Sequence, residues 1–393
     1  MSRASNGSVG QSQPLQSPLL LHVFFTFAPG GAQTRFLHLA NHYGKRLRHA
    51  VVAMDGNYSC MARLAAETDV TPHPVNARGT NVAGRVRAFA QVLSSVRPDR
   101  LITHNWGTIE WTLANLANRT RHIHMEDGFG LDEAWRFKRR RVWARRLLLR
   151  RSEVVVPSMT LRDVAQNLWR ISPSRLHWIP NGIDTTRFAP GHVHRLPTAS
   201  PDDTTLIGTV AALRPEKQLS RLLRAFALVA GASNCRLVIV GEGPERSRLE
   251  ALAWELKIGD RTRFVGHIDD TAPLYREFDI FALTSDTEQM PYTVLEAMAS
   301  GCTIVATDVG DIKRMVAEEN IPLIVGRSDE QVAGALARAV SDRSMMRRIG
   351  EANRLRASHD YDQQLMFERF ARLYGLSEAA APTVPVQTDI VFR

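Results

Sequence analysis

Cysteine is scarce: Cys60, Cys235 and Cys302 are the only three in 393 residues. They stand far apart, with no Cys-x-x-Cys and no histidine at metal-ligand spacing, and three cannot complete a disulfide framework. Each is expected to act as a small apolar side chain in a reducing compartment. Long apolar runs are missing too. The stretch from Leu19 to Ala28 is the longest, and it falls well short of the roughly 20 residues of a membrane-crossing helix, so it reads as a buried strand. The polar segment 1–18 lacks the apolar centre of a signal peptide and is expected to be a flexible lead-in. No Gly-x-Gly-x-x-Gly fingerprint occurs, which counts against a nicotinamide-dependent enzyme. The sole Asp-x-Asp, Asp360-Tyr361-Asp362, falls at a predicted helix start, where capping accounts for it without a metal.

Acid is absent from one place in particular. The net charge is +10, and the run Arg136 to Arg151 holds nine basic residues and no acidic one. With those nine set aside from the 50 Lys and Arg, 41 remain against 40 Asp and Glu. The chain is therefore near neutral apart from one cationic segment, which points to a single local anionic partner. A solvated helix carrying nine cations would repel itself, and no nucleic-acid-binding motif accompanies the run. Trp135, Phe137, Trp143 and Leu147–Leu149 interleave with the cations, as suits an anionic membrane surface. Each cation there contributes about 1 kcal/mol, and aromatic rings favour the interface. Arg139, Arg140, Trp143, Arg145 and Arg146 are the expected contacts.

With 44% hydrophobic and 23% charged residues, the rest reads as globular, and its length suits two domains. Strands are predicted at 19–27, 50–54, 101–104, 122–125, 153–157 and 176–179, with helices at 33–42, 58–66, 82–95, 109–117 and from 160. The pattern then restarts. Strands at 206–210, 236–240, 262–265, 280–283, 303–306 and 322–325 alternate with helices at 219–230, 245–256, 272–275, 294–299, 312–317 and 329–341. Short apolar runs alternating with helices signal an α/β fold of two Rossmann-like, doubly wound domains. The expected division is a first domain at 19–188, a linker at 189–204 and a second domain at 205–360. A terminal helix at 361–376 returns to the first domain, and a loose tail covers 377–393. Ligands of such sheets bind beyond the carboxyl ends of the strands.

Candidate chemistry gathers at those ends. Arg214 and Lys217 follow the strand of Thr209-Val210 and precede a helix, a natural pocket for a diphosphate or simply solvated charges. Gly241-Glu242-Gly243 joins another strand to a helix. The fullest constellation is Ser285-Asp286-Thr287-Glu288-Gln289-Met290-Pro291-Tyr292-Thr293-Val294-Leu295-Glu296-Ala297-Met298. Here one loop-to-helix unit presents two carboxylates, suited to hydroxyl pairs, beside backbone N–H groups suited to phosphate oxygens.

From about Val23 to Leu373 the chain resembles the GT4 family of retaining glycosyltransferases with the GT-B fold. The matching stretches are Glu-x7-Glu with LEAMASG-TIVATDVGD, the Arg214/Lys217 pair after TVAAL, GEGPER, FVGHIDD, IPNGID-TRF and GGAQTRFLHLA. The resemblance implies that Arg214 and Lys217 hold a donor diphosphate, Glu296 the ribose and Glu288 the donor sugar, with Gly241 and the loop Met290 to Thr293 beside them. It puts the backbone around Gly266 against the base and makes Gly30 and Gly31 a loop closing over the phosphates. It implies a nucleoside diphosphate sugar such as a UDP-sugar as donor substrate, no cofactor and no metal. A glycan or lipid-linked acceptor and a cytoplasmic place, peripheral on the inner face of the plasma membrane, go with it. Two departures stand out. Gln289 follows Glu288 where family members commonly have Gly, and Asp127 stands where many have a catalytic-side His. His124, Glu126 or Asp127 is expected to take that role, with Asn105-Trp106 lining the same region. The competing readings are a sugar-nucleotide epimerase-like enzyme, revealed by donor hydrolysis without acceptor, and a non-catalytic nucleotide-sugar-binding scaffold, revealed by UDP binding without turnover.

Overall fold

A computed structural model describes residues 17–75, 81–129, 133, 137–191 and 204–376. The expected lead-in apart from its last two residues, Trp135, Arg136 of the basic run, most of the expected linker and the expected tail lie outside the described residues. The chain forms two compact units, Met1–Met125 with Arg151–Glu153, and Glu126–Arg150 with Val154–Arg393.

Two parallel sheets, of seven and six strands, carry the fold. The first contains β1 (Leu19–Phe24), β2 (Arg48–Ala53), β3 (Asp69–Pro72), β4 (Arg100–His104), β5 (Arg121–Met125), β6 (Glu153–Val156) and β7 (Leu176–Trp178). Their order is β3-β2-β1-β4-β5-β6-β7. Leu21, Val23, Ala50 and Val52 pack on one face with Phe89, Leu93 and Trp111. Their alternating neighbours Phe24, Val51 and Ala53 pack on the other with Phe36 and Leu37. Both faces are covered, which is why these strands read as continuous apolar runs.

The second sheet contains β8 (Thr205–Val210), β9 (Cys235–Val240), β10 (Thr262–Gly266), β11 (Ile280–Leu283), β12 (Thr303–Thr307) and β13 (Ile324–Val325). Its order, β10-β9-β8-β11-β12-β13, changes direction at β8, and ligands favour the crevice at such a switch point.

Helices Leu219–Ala230 and Asp329–Ser341 begin and end as predicted from their periodicity. Three elements differ. Residues 58–66 form only a short 3₁₀ turn, Ser59–Arg63. The exposed strand β3, ending in Pro72, gave no apolar signal and sits at the sheet edge, where proline is tolerated. Residues 318–323 wind into a 3₁₀ segment that includes Pro322, leaving β13 two residues long. The C-terminal residues fold as two helices, Arg343–Asp360 and Gln363–Tyr374. Asp362 caps the second by accepting from the Gln364 amide, as the Asp-x-Asp reading expected.

Candidate active site

The loops beyond the carboxyl ends of β8, β9 and β10 are laced by their own backbones. Ala211 N donates to Val240 O at 3.0 Å, Leu213 N to Glu242 O at 2.9 Å, and Glu245 N to Leu213 O at 3.0 Å. Gly241, at φ +133, leaves no room for a Cβ against the Ala211 carbonyl. Its N–H donates to Gly266 O at 2.8 Å, and Gly266 itself sits at φ +88. The glycines of GEGP thus hold the β8 loop in place, and that loop presents Arg214 exposed and Lys217 half-buried.

The loop after β11 closes against the same place. Asp286 N donates to Glu216 O at 2.9 Å. Arg221 reaches from the following helix to Thr284 O at 2.7 Å and Asp286 Oδ1 at 2.9 Å. Thr307 Oγ1, at the end of β12, donates to Ser285 O at 2.6 Å. So fixed, Glu288 Oε1 accepts from Lys217 Nζ at 2.6 Å and Ser285 Oγ at 2.8 Å. Lys217 and Glu288, 71 residues apart, are therefore brought into direct contact. Ser285 stands in the predicted constellation, but its bond to Glu288 and the bracing by Arg221 carried no sequence signal of their own.

The following helix, Tyr292–Ala299, has the extended Pro291 as its N-cap residue and starts two residues earlier than predicted. Glu296 consequently lies in its second turn. Burial pushes the Glu296 carboxyl up to about 7, against the opposing pull of the Tyr275 phenol beside it and of Arg187. Asn181 Nδ2 anchors the loop through Met290 O at 2.8 Å. Tyr292 is buried and Thr293 half-buried in the first turn. Gly30 and Gly31 belong to the first unit, where Gly30 is the extended N-cap residue of the helix Gly31–Tyr43.

The acceptor-side candidates need correction. His124 is fully buried. Its Nδ1 meets Thr103 Oγ1 at 2.8 Å, Thr103 Oγ1 meets His122 Nε2 at 2.8 Å, and His122 Nδ1 meets Ser152 Oγ at 2.7 Å. It is a core hydrogen-bonding residue with no exposed surface. Glu126 is equally sealed, with Oε2 accepting from Arg145 Nε at 3.1 Å. Of the three, only Asp127 retains exposure, and it is half-buried.

The basic helix Arg139–Leu148 is corrected with them. Arg145 is fully buried, paired with Glu126 and with Glu133 at 3.4 Å, and its guanidinium lies 4.7 Å from the Trp169 ring centroid. It cannot meet a membrane. Arg146 donates Nε to Leu168 O at 2.7 Å. Glu126 and Glu133 supply acids that the run itself lacks, and they pair with Arg145 and Arg141. Exposed on the outer face are Arg139, Arg140, Trp143 and Leu147. Among the described residues no helix is long and apolar enough to cross a membrane.

Residues 194–356 match the family model for glycosyl transferases group 1, and residues 29–187 match that for glycosyltransferase family 4. The chain is 33% identical over 181 residues to a GDP-mannose-dependent alpha-mannosyltransferase of Mycolicibacterium smegmatis, covering 44% of each chain. To a D-inositol 3-phosphate glycosyltransferase of Stackebrandtia nassauensis it is 31% identical over 225 residues, 52% of this chain and 50% of that one. It thus spans about half the length of the curated relatives it matches. The fold is that of GT-B glycosyltransferases. Anabaena HepE, solved in complex with UDP-glucose, superposes with TM-score 0.76 at 18% identity, over 91% of this chain and 99% of that one.

Proposed function

Because the chain belongs to the group 1, GT4-type glycosyltransferases, we propose that it moves a sugar from a nucleoside diphosphate sugar to a hydroxyl of a glycan or lipid-linked acceptor. The anomeric configuration is retained and no metal takes part. The observation that carries this reading is the Lys217–Glu288 contact beside Arg214, at the carboxyl edge of the second sheet. As the glycosyl bond breaks, negative charge grows on the departing diphosphate. Arg214, Lys217 and the N-terminal N–H groups of Tyr292–Ala299 are the preorganised charges and dipoles that would stabilise it. With those cations serving, the leaving group needs no divalent ion. Glu288 holds donor-sugar hydroxyls, Glu296 the ribose pair, and Asp127 the acceptor side. Retention follows from attack on the face the diphosphate leaves. The reading assigns the acceptor to residues 19–188 and the donor to 205–360.

The donor nucleotide belongs to the UDP or GDP class, on the strength of HepE solved with UDP-glucose and the mannosyltransferase dependent on GDP-mannose. A role in cell-surface polysaccharide synthesis at the cytoplasmic face of a membrane is supported by the exposed Arg139, Arg140, Trp143 and Leu147. The deciding experiment presents UDP-glucose and GDP-mannose with an acceptor panel, followed by NMR of the product anomer. Wild type should release nucleoside diphosphate in step with an α-linked product. Glu288→Ala should lose turnover while still binding the nucleotide. Product of inverted configuration, or full turnover by Glu288→Ala, would sink the proposal.

A further inference from the structure

Gln289 carries none of the charge or hydroxyl chemistry a donor needs, yet it is only 9% exposed and fastened from several sides. The backbone of Glu288 and Gln289 is pinned by Gly310, at φ +58, where a Cβ would stand 2.7 Å from Gln289 O. Asp311 N donates to that same oxygen at 2.9 Å. The Gln289 side chain has partners of its own. Ser158 Oγ donates to its Oε1 at 3.0 Å, and a Cβ on Gly128 would lie 3.2 Å from its Cγ. Ser158 is fully buried, and its hydroxyl oxygen also accepts from Leu161 N at 3.1 Å as the cap of the helix Met159–Asp163. A hydroxyl has one proton to give, so Ser158 commits it to Gln289. Asp311 converges on the same helix start, accepting from Thr160 N at 3.0 Å and Thr160 Oγ1 at 2.6 Å.

Asp127 is the residue immediately before Gly128. Gln289, which directly follows Glu288 in the chain, therefore sets its side chain beside the segment that carries the remaining acceptor-side acid. We propose that Gln289 is a positioning residue: its amide, held by Ser158, fixes the separation between Glu288 and the Asp127–Gly128 segment. It thereby sets the alignment of an acceptor hydroxyl with the donor sugar. This rests on the glycosyl-transfer reading and adds to it a residue that touches neither substrate. A side chain that only filled space would be replaceable by methionine, which has similar length and flexibility but no carbonyl to accept the Ser158 proton.

The test is a double-mutant cycle on the full chain, using UDP-glucose or GDP-mannose, whichever wild type turns over. Gln289→Met and Ser158→Ala should each lower kcat about tenfold, because small misplacements of reacting groups carry losses of this order. Donor KM should stay within about twofold. The double variant should be no slower than the worse single, since both remove one interaction. Ser158→Thr, which keeps the hydroxyl, should recover most of the loss. Thermal melts of all four variants identify any that is simply unfolded, and the Gln289 and Ser158 arms test the same bond independently. A kcat within about twofold of wild type for Gln289→Met, or losses that multiply in the double variant, overturns the positioning role. A wild-type chain that turns over no nucleotide sugar overturns the function beneath it instead.

Discussion

Glu296 shows how one half-buried carboxylate ties the site to pH. Its carboxyl is pushed up to about 7 by burial, so protonated and ionised forms both occur near neutrality in the folded chain. If it accepts hydrogen bonds from a ribose diol, the ionised form is the better acceptor. Nucleotide affinity should then rise from pH 6 to pH 8, and Glu296→Gln should flatten that rise. Titration calorimetry with UDP and GDP across this range is the measurement, and a pH-independent affinity in the wild type would remove Glu296 from the site. Glu288 and Glu296 were legible in sequence because they share one loop-to-helix unit, where seven residues of spacing fix their setting. Glu126 and His124 were not. Polar residues at a strand's carboxyl end look the same in sequence whether they face a cleft or the core. What sealed them was Arg145, 19 residues from Glu126, and Thr103, 21 residues from His124.

At the scale of the element, the basic helix Arg139–Leu148 divides into two populations. Val142 and Arg145 face inward with Leu149 just beyond, while Arg139, Arg140, Trp143 and Leu147 face outward. Charge content announces such a helix, but the apolar residues are too few for the period to reveal which arginine turns in. Removing one partner of a buried pair leaves an uncompensated charge and costs about 3–5 kcal/mol. Arg145→Met, which strands Glu126 and part of Glu133, should therefore lower the melting temperature markedly. Exposed cations carry little folding stability, so Arg139→Ser with Arg140→Ser should leave the melt nearly unchanged while weakening co-sedimentation with anionic liposomes. Equal binding of that double variant to such liposomes would end the case for a membrane-facing helix. The predicted boundaries held best where apolar period and capping agree, as at Asp329–Ser341, where the Ser328 side chain accepts from Gln331 N. They failed at β3, whose Asp-Val-Thr-Pro offers an edge strand no apolar face to declare it.

The whole molecule carries a pH signature of its own. The first unit buries His22, His49, His104 and His122. Burial lowers His49 to about 4 and His122 to about 3, and holds His22 and His104 well below the usual 6.5. Between pH 6.5 and about 4 the unfolded chain therefore binds protons that the folded chain refuses. Stability is fully present above 6.5 and falls as pH drops, by up to about 1.4 kcal/mol per pH unit for each histidine. Glu296 works in the opposite sense between 4.5 and 7, and Asp279, whose carboxyl burial also raises, acts with it. Calorimetric melts should accordingly fall steeply from pH 6.5 to 4.5, and His49→Gln should make the slope shallower. A flat profile would contradict the burial of these rings. The two-sheet architecture was readable from the alternation of apolar runs and helices, because parallel strands covered on both faces leave that mark throughout. How Arg214, Lys217 and Glu288 serve is tested most directly by calorimetric titration of UDP and GDP, in the presence of chelator, into wild type and an Arg214→Ala, Lys217→Ala double variant. Wild type should bind at least one nucleotide without metal. The double variant should bind it at least about a hundredfold more weakly, two charge-assisted contacts being lost. Undiminished affinity in the double variant, or no binding by wild type, would contradict a diphosphate site at the edge of the second sheet.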